Sequence, residues 1–204
     1  MSKNEISEMH FNPDIFKIQS NNITPQKGRI LIAEPFLPGN YFNRSVILLV
    51  AHSKKGTVGF ILNKQVDFPI QEVIPDFPDF PAQVYMGGPV ATDSLYFIHT
   101  RSDLIPGSIH VLDNIHWGGD FEEMKRLVNL GLIQAEEIRF FLGYSGWDAG
   151  QLEREIKENS WLVDDVDSKL VMRELDHTSW VDFVKKVGKR YSLWEHFPEN
   201  PSLN

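Results

Sequence analysis

Two apolar segments joined by a short polar loop are the feature that most constrains the fold of this chain. Residues 45–52 read SVILLVAH, residues 53–56 read SKKG, and residues 57–62 read TVGFIL. The first segment is rich in β-branched residues and lacks the alternation of a strand that faces water on one side. A loop of this length joins neighbouring antiparallel strands. The pattern therefore predicts a central hairpin whose first strand is buried on both faces.

Other short apolar runs, each bounded by Gly, Pro, Asn or Asp, extend this sheet. Strands in globular proteins are usually only a few residues long, so runs of this size are sufficient. The sequence predicts further strands at residues 29–33, 83–86, 95–100, 109–112, 115–117 and 138–142.

Three segments carry the signals of amphipathic helices. A capping pair opens the first, at residues 121–130. Asp148 and Gln151 form a second capping pair, which places the start of the next helix at Ala149. The last helix runs from about residue 180 to residue 187 and ends at a glycine.

Length and composition limit the class of protein. The 204 residues suit one domain, with a polar N-terminal extension at residues 1–22 and a Pro-rich C-terminal tail at residues 189–204. The absence of cysteine excludes disulfides, thiolate zinc sites and a cysteine nucleophile. The longest apolar run, Val46–Ala51, is too short to cross a bilayer, and the first residues lack the apolar core of a secretory signal. We therefore expect a cytoplasmic protein without a membrane span.

The charge of the chain bears on its partners. A net charge of −8 argues against direct contact with nucleic acid, because cationic residues must displace counterions from a phosphate backbone. The helix at residues 121–130 is followed by the run IRFFL, which is apolar where a recognition helix presents polar and basic side chains. We expect a protein partner or a small ligand instead.

Residues 140–162, which read FFLGYSGWDAGQLEREIKENSWL, contain half of the candidate binding residues. The glycines predict a tight turn at residues 143–146 between a strand and a helix. Such a turn would present a serine hydroxyl and backbone N–H groups near a helix N-terminus. The candidate surface on this segment consists of Ser145, Trp147, Asp148 and Gln151.

Ser145 also raises an enzymatic alternative. A serine on a tight turn between a strand and a helix is the nucleophile elbow of α/β-hydrolases, with the pattern Gly-x-Ser-x-Gly. Here Trp147 stands where the second glycine is required, and neither His177 nor His196 lies in a recognisable triad motif. A small-molecule hydrolase that uses the turn at residues 143–146 is the second hypothesis, with no catalytic residue assigned.

Four residues outside that segment complete the candidate surface. Arg44 stands at the edge of a buried strand, as either a partner of a carboxylate or an anchor for a ligand. Asn63 ends the hairpin, where it either forms turn hydrogen bonds or contacts a ligand. Gly87 and Gly88 precede a proline and favour a sharp turn or a close backbone approach; a phosphate loop would need a helix next, and a strand follows.

Residues that could bind a metal form no recognisable motif. The seven histidines include no pair at the i,i+3 or i,i+4 spacing of a helical ligand pair. Four of them fall in or beside predicted strands, where the fold could bring them together: His52, His99, His110 and His116. The acidic run at residues 164–167 lacks the glycine and the distant glutamate of an EF-hand loop, so we interpret it as solvated charge. We predict no metal and no cofactor.

Three blocks of sequence, in this order, cover about residues 28–162: GRILIAEPFLPGNYFNRSVILLVAHSKKGTVGFILNK, YMGGPV and FLGYSGWDAGQLEREIKENSWL. They resemble the successive signature blocks of the YqgE/AlgH family of bacterial proteins. Two positions depart from the family pattern. Gly39-Asn40-Tyr41-Phe42 stands where the family commonly has Asp-Pro-x-Phe, and Lys64-Gln65 stands where Arg-Pro usually follows the asparagine.

The resemblance implies an α+β fold in which a mixed sheet curls into a closed β-barrel, with about three helices packed outside. One branch of the family carries the label of a transcriptional regulator, and the resemblance brings no catalytic residues with it. Together with the acidic charge, it favours a non-enzymatic regulatory or interaction module that acts through a protein partner or a small ligand.

Overall fold

The computed structural model describes residues 20–21, 23–37, 39 and 41–197. Its strands are β1 (Ile30–Ala33), β2 (Val46–Ser53), β3 (Gly56–Ile61), β4 (Val84–Met86), β5 (Val90–His99), β6 (Ile109–Leu112), β7 (Ile115–Trp117), β8 (Ile138–Asp148) and β9 (Trp161–Asp164). Its helices are α1 (Ile70–Val73), α2 (Phe121–Asn129), α3 (Gln151–Lys157), α4 (Ser168–Met172) and α5 (Ser179–Val187), with 3₁₀ segments at Ala135–Glu137 and Lys189–His196. Within the described residues, no helix has the length and hydropathy needed to cross a membrane.

The strands of the described chain form one mixed sheet in the order β6-β7-β5-β8-β3-β2-β1-β9, with β4 paired to β8 beside this path. The pairing of β4 with β8 is parallel, and the other strand pairs are antiparallel. The first part of β8 pairs with β5 and β4, and its last residues, 145–148, pair with β3. β8 therefore joins the two halves of the sheet.

The expectation of a closed β-barrel was wrong. The path of the sheet ends at β6 on one side and at β9 on the other, and these edge strands do not pair with each other in the described structure. Closing a barrel leaves one face of the sheet to be filled by the strands' own side chains. Here the residues Val46–Val50 of β2 are buried on both faces, as the uninterrupted apolar run predicted. Helices cover both faces, so the sheet stays open between two helical layers.

One face of the sheet packs against α4, α5 and the 3₁₀ segment Lys189–His196. Trp180 of α5 stacks on Trp194 of that segment with ring centroids 6.1 Å apart, and both rings are buried. The indole Nε1 of Trp180 donates to the carbonyl oxygen of Ala33 at 2.9 Å, which fixes α5 to β1. The segment that the sequence assigned to the start of the C-terminal tail thus contributes to the core. The rest of the tail, residues 198–204, and most of the N-terminal extension lie outside the described residues.

The opposite face carries two separate apolar clusters. Leu152 and Ile156 of α3 cover the half of the sheet that contains β1, β2 and β9. Met124 and Leu127 of α2, with Phe77 from the loop before β4, cover the half that contains β4, β5 and the first part of β8. The helix predicted at residues 121–130 is confirmed, and its capping residue accepts a hydrogen bond from the backbone N–H of Glu123.

The predicted tight turn at residues 143–146 was wrong. These residues lie within β8, which continues to Asp148, and Gly143 with a φ of +66° makes only a local bend. The next helix begins at Gln151 rather than at Ala149, because Gly150 adopts the left-handed conformation at the N-cap position. A strand extended by antiparallel pairing with β3 takes the place of the turn.

Gly87 and Gly88 lie where the chain leaves β4 and passes closely over β8. The N–H of Gly87 donates to the carbonyl oxygen of Leu142 at 2.8 Å, and its own carbonyl accepts from the N–H of Ile61 at 3.0 Å. A Cβ atom on Gly87 would lie 2.3 Å from the carbonyl oxygen of Gly143, and one on Gly88 would lie 2.3 Å from backbone atoms of Tyr144. Both positions therefore require glycine for close backbone approach.

We expect the variant Gly87→Ala to lower the free energy of unfolding by about 3 kcal/mol or more, because its methyl group meets backbone rather than a movable side chain. Gly131→Ala is the matched control: no atom lies within 4 Å of a Cβ there, so only the left-handed φ of +69° opposes the change, at about 1 kcal/mol. Urea denaturation measures both values. Equal losses in the two variants would contradict the close approach.

Candidate functional site

The structure places Ser145 inside the sheet. The side chain is fully buried, and its Oγ donates to the carbonyl oxygen of Gly87 at 3.0 Å. The hydroxyl thereby connects β8 to the chain that leaves β4. A nucleophile must reach its substrate, and neither a turn nor exposure provides that access here. The position of Ser145 gives the hydrolase hypothesis no support.

Trp147 and Gln151 contact a carboxylate that the sequence analysis missed. Glu155 Oε2 accepts from the indole Nε1 of Trp147 and from that of Trp161, both at 2.8 Å. Its Oε1 accepts from Gln151 Nε2 at 2.9 Å. Both indoles are buried, and a buried indole N–H needs an acceptor. Two tryptophans that flank one helix were the signal for an acid on the face of that helix between them.

Asp148 is the exposed member of this group. Its backbone N–H donates to Gln151 Oε1 at 2.9 Å, which is one half of the predicted capping pair. The other half is absent from α3, whose start has no side-chain cap. Phe42 packs against both indoles, with its ring centroid 6.3 Å from that of Trp147 and 5.6 Å from that of Trp161. Most of the segment at residues 140–162 therefore stabilises the fold rather than forming a binding surface.

Arg44 and Asn63 come together at the other end of the central hairpin. Asn63 is fully buried; its Oδ1 accepts from the N–H of Val46 at 2.8 Å, and its Nδ2 donates to the carbonyl oxygen of Arg44 at 2.9 Å. The guanidinium carbon of Arg44 lies 5.0 Å from the ring centroid of Trp180, and its Nη2 donates to the carbonyl oxygen of Phe197. Asn63 thus fixes the backbone of Arg44, and an aromatic ring holds its charged end.

An open pocket of about 590 Å³ lies beside these two residues. Its polar side chains come from the loop before β2, from the chain after β3 and from the connection between α4 and α5. We call it the Arg44 pocket; its described lining consists of Leu37, Gly39, Asn43, Arg44, Asn63, Lys64, Gln65, Asp67, Asp176 and His177. Burial lowers the pKa of Lys64, because the ammonium group loses water there. Hydrogen bonds from Thr178 and Ser179 hold the pKa of Asp176 below its usual range.

The eight predicted binding residues therefore fall into separate places. Arg44 and Asn63 line the Arg44 pocket. The others lie at the crossing of β4 and β8, beside Glu155, or at the exposed end of β8: Gly87, Gly88, Ser145, Trp147, Asp148 and Gln151. No sequence pattern connects the Arg44 pocket with His177, which is more than a hundred residues away from Arg44 along the chain.

Three of the four strand histidines converge. The ring centroids of His99 and His116 lie 6.1 Å apart, and those of His110 and His116 lie 5.2 Å apart. His99 is buried; its Nδ1 accepts from the N–H of Arg101, and its Nε2 faces the carbonyl oxygen of Gly118, so we assign the neutral tautomer protonated at Nε2. In the described part of the chain, no three His, Asp or Glu side chains are placed to hold a metal ion.

The acidic run at residues 164–167, which begins at the last residue of β9, serves the fold. Asp164 pairs with Lys186 at 2.8 Å, and Asp165 pairs with Arg29 at the same distance. Asp167 Oδ1 accepts from the N–H of Leu170 and caps α4.

The fold and the pocket define an α+β protein in which an open mixed sheet lies between two layers of helices, with a polar pocket where three loops meet. A family model described as AlgH-like matches residues 30–192. The chain belongs to the AlgH-like family, and the resemblance to YqgE/AlgH proteins is confirmed.

Related proteins cover almost the whole chain. A UPF0301 protein of Bacteroides thetaiotaomicron is 43% identical over 197 residues, which are 96% of this chain and 100% of that protein. A UPF0301 protein of Chlorobium limicola is 41% identical over 177 residues, 87% of this chain and 95% of that protein.

Two solved structures have a similar fold. The crystal structure of protein DIP2367 from Corynebacterium diphtheriae has a TM-score of 0.68 and 26% identity, and the match covers 88% of this chain and 95% of that one. The solution structure of the AlgH protein from Pseudomonas aeruginosa has a TM-score of 0.66 and 25% identity, covering 86% and 97%. None of these four names states an activity or a ligand.

We expect Glu155→Ala to lower the free energy of unfolding by about 2–4 kcal/mol, because it leaves two buried indole N–H groups without an acceptor. Glu158→Ala removes an exposed carboxylate just after the same helix and should change that free energy by about 0.5 kcal/mol or less. Chemical denaturation followed by tryptophan fluorescence measures both variants. A loss in Glu155→Ala no larger than in the control would mean that water replaces the carboxylate.

His99 should make the stability depend on pH. Burial lowers the pKa of His99 from 6.5 to about 4. Between these two values the unfolded chain binds a proton that the folded chain does not, so stability is lost as the pH falls through this window. The loss should be on the order of 3 kcal/mol.

His99→Gln removes this titration. Its free energy of unfolding should fall less than that of the wild type between pH 6.5 and 4, as measured by urea denaturation at several pH values. His110→Gln, in the same histidine group, is the control. Parallel pH profiles for the wild type and His99→Gln would show that another group is responsible.

Proposed function

We propose that this protein is a non-enzymatic, cytoplasmic binding module that recognises a small polar ligand in the Arg44 pocket and acts in regulation through a protein partner. The observation that carries the proposal is the convergence of polar side chains from three loops on one pocket of about 590 Å³. These side chains include Lys64, His177 and three side-chain amides. This volume falls within the range of roughly 300–1,000 Å³ that is typical of small-molecule sites.

The chemistry of the lining supports a ligand with an anionic group. Burial lowers the pKa of Lys64, and an anion beside the ammonium group would offset the water that the group has lost. Arg44 adds a second cation to the same wall. Because both are partly shielded from water, their attraction for an anion is stronger than at an open surface.

A buried acceptor in the pocket supports a ligand that also carries a hydrogen-bond donor. Asn43 Oδ1 is buried and has no donor among the described residues. A buried acceptor without a partner is unfavourable, so an N–H or O–H group of a ligand would stabilise it. The expected ligand is therefore a small molecule with an anionic group at one end and a donor at the other.

The absence of a reaction is inferred from the side chains of the pocket. The residues of the lining that the structure describes include no serine, threonine or tyrosine hydroxyl. The Asp176 carboxylate accepts hydrogen bonds from Thr178 and Ser179 at the start of α5 and is committed to that turn. The side chains that line the Arg44 pocket are therefore suited to binding a ligand rather than to acting as a nucleophile on it.

A regulatory role through a protein partner rests on the family resemblance and on charge. The net charge of −8 disfavours contact with a phosphate backbone. A gel shift with the pure protein that is tight and sensitive to salt would contradict this part of the proposal.

A thermal-shift screen with small anionic metabolites tests the pocket. We expect some compounds to raise the melting temperature of the wild type, because a ligand that binds only the folded state stabilises it. For these compounds, Lys64→Met should raise the dissociation constant about tenfold or more, which corresponds to a loss of about 1.4 kcal/mol of binding free energy.

Lys54→Met is the matched control for this screen. Lys54 is exposed at the β2–β3 loop, the opposite end of the hairpin that leads to the pocket, and its loss changes the net charge equally. Its variant should bind like the wild type. Compounds that bind Lys64→Met as tightly as the wild type would place the ligand elsewhere, and a screen without hits would count against a small ligand.

A further inference from the structure

A second, smaller cavity lies where the parallel strands β4 and β8 begin. Its volume is about 200 Å³, and its outer wall is the chain that follows α4. The lining combines one buried guanidinium, one buried phenol, an apolar surface and two exposed carboxylates. We call it the Arg139 cavity; its main lining residues are Pro81, Tyr85, Ile138, Arg139, Met172 and Glu174.

Arg139 is a charged residue inside the otherwise apolar run Ile138–Leu142 of β8, and only 4% of it is exposed. Its guanidinium carbon lies 4.6 Å from the ring centroid of Tyr85, and its Nη2 donates to the carbonyl oxygen of Arg173 at 2.5 Å. Its Nη1 is buried and meets no acceptor among the residues that the structure describes. Burial lowers the pKa of Arg139, but an arginine side chain stays protonated in proteins. A buried cation of this kind needs a negative partner.

Tyr85 supplies a second donor without a partner. The residue is fully buried, and its hydroxyl has no hydrogen-bond partner in the described part of the chain. Buried polar groups in native proteins are almost always paired, with protein, water or a ligand. Two such donors on one cavity favour an occupant with two acceptors and a negative charge.

We propose that the Arg139 cavity binds a small monocarboxylate. One carboxylate oxygen accepts from Arg139 Nη1, the other accepts from the Tyr85 hydroxyl, and a short apolar chain packs against Ile138 and Met172. This inference goes beyond the proposed function and does not depend on it, because the two sites share no lining residue.

Three properties of the cavity select this class of ligand. Its volume lies below the range of roughly 300–1,000 Å³ of pockets for drug-sized ligands, so the occupant is small. The apolar wall suits a short carbon chain better than a bare inorganic ion. The exposed carboxylates of Glu136 and Glu174 repel a dianion more strongly than a monoanion, which disfavours phosphate.

Glu174 is the internal alternative to a ligand. Its charge acts on Arg139 in the folded protein, yet among the described residues no carboxylate lies within ion-pair distance of that guanidinium. A different rotamer of Glu174 could place its carboxylate in the cavity and pair with Arg139 directly. In that case Glu174→Gln would lower stability, and external anions would find the site occupied.

Titration with sodium butyrate, followed by NMR of the arginine side chains and of the amides that line the cavity, tests the proposal. Butyrate at millimolar concentration should produce saturable shifts at Arg139 and Ile138. Butyramide has the same shape without the charge, and sodium phosphate is an anion without the apolar chain; neither should saturate these signals. Glu174→Gln should tighten butyrate binding about threefold, because a like charge is removed.

Two variants and one control localise the binding. Arg139→Met should abolish saturation. Tyr85→Phe retains the ring under the guanidinium and should weaken binding about threefold to tenfold, through the loss of one hydrogen bond. Arg154→Met, an equal charge change at an exposed site on α3, should bind within about twofold of the wild type.

If Arg139→Met does not fold, Tyr85→Phe and Glu174→Gln decide the question. The monocarboxylate site is overturned if wild-type protein shows no saturation with butyrate, or if Tyr85→Phe binds butyrate as the wild type does. Saturation by phosphate at the same concentration as butyrate would overturn the choice of ligand class. Loss of stability in Glu174→Gln without butyrate binding to the wild type would establish the internal ion pair instead.

Discussion

The close backbone approach of Gly87 to Gly143 is the contact on which the arrangement of the sheet depends. At this point β8 stops pairing with β4 and β5 and begins pairing with β3. The carbonyl oxygen of Gly87 accepts from both the N–H of Ile61 and the hydroxyl of Ser145. This one acceptor therefore joins three segments of the chain. Any side chain at Gly87 would separate them. One long strand can therefore serve two half-sheets without closing them into a barrel.

An open sheet with two apolar faces needs a helical layer on each side. Hydrogen bonds donated by indole N–H groups fix the positions of two of these helices. Trp180 holds α5 against the carbonyl oxygen of Ala33. Glu155 holds α3 against Trp147 and Trp161. In each case a buried indole ring packs in the core and its single N–H fixes the position of the helix against the sheet. The segment that looked most like an active site is the one that attaches a helix to the sheet.

Local sequence patterns predicted the elements whose stability is local. The hairpin of β2 and β3 and the helix α2 carry their own apolar pattern and turn or cap residues. The strand β9 was missed because its four residues become a strand only by pairing with β1, about 130 positions earlier. The tight turn at residues 143–146 failed for a similar reason, since these residues are held in a strand by pairing with β3. The closed barrel was implied by the family resemblance rather than by a local pattern, and it was wrong because β6 and β9, the edge strands of the described sheet, do not pair with each other. Of the two cavities, the sequence indicated only Arg44 and Asn63; Arg139 was visible as a charge within the run IRFFL but was not interpreted as a site.

The connection between α4 and α5 contributes a wall to each cavity, and the way it is held explains why they can be separate sites. At its start, the carbonyl oxygen of Arg173 accepts from the buried guanidinium of Arg139. At its end, Asp176 accepts from the N–H groups of Thr178 and Ser179 and ties the chain to the beginning of α5. Both attachments are charge-assisted, the stronger class of hydrogen bond. A connection fixed at both ends transmits little displacement, so binding in one cavity does not have to reshape the other. The same short segment can then place Glu174 beside the Arg139 cavity and His177 beside the larger Arg44 pocket.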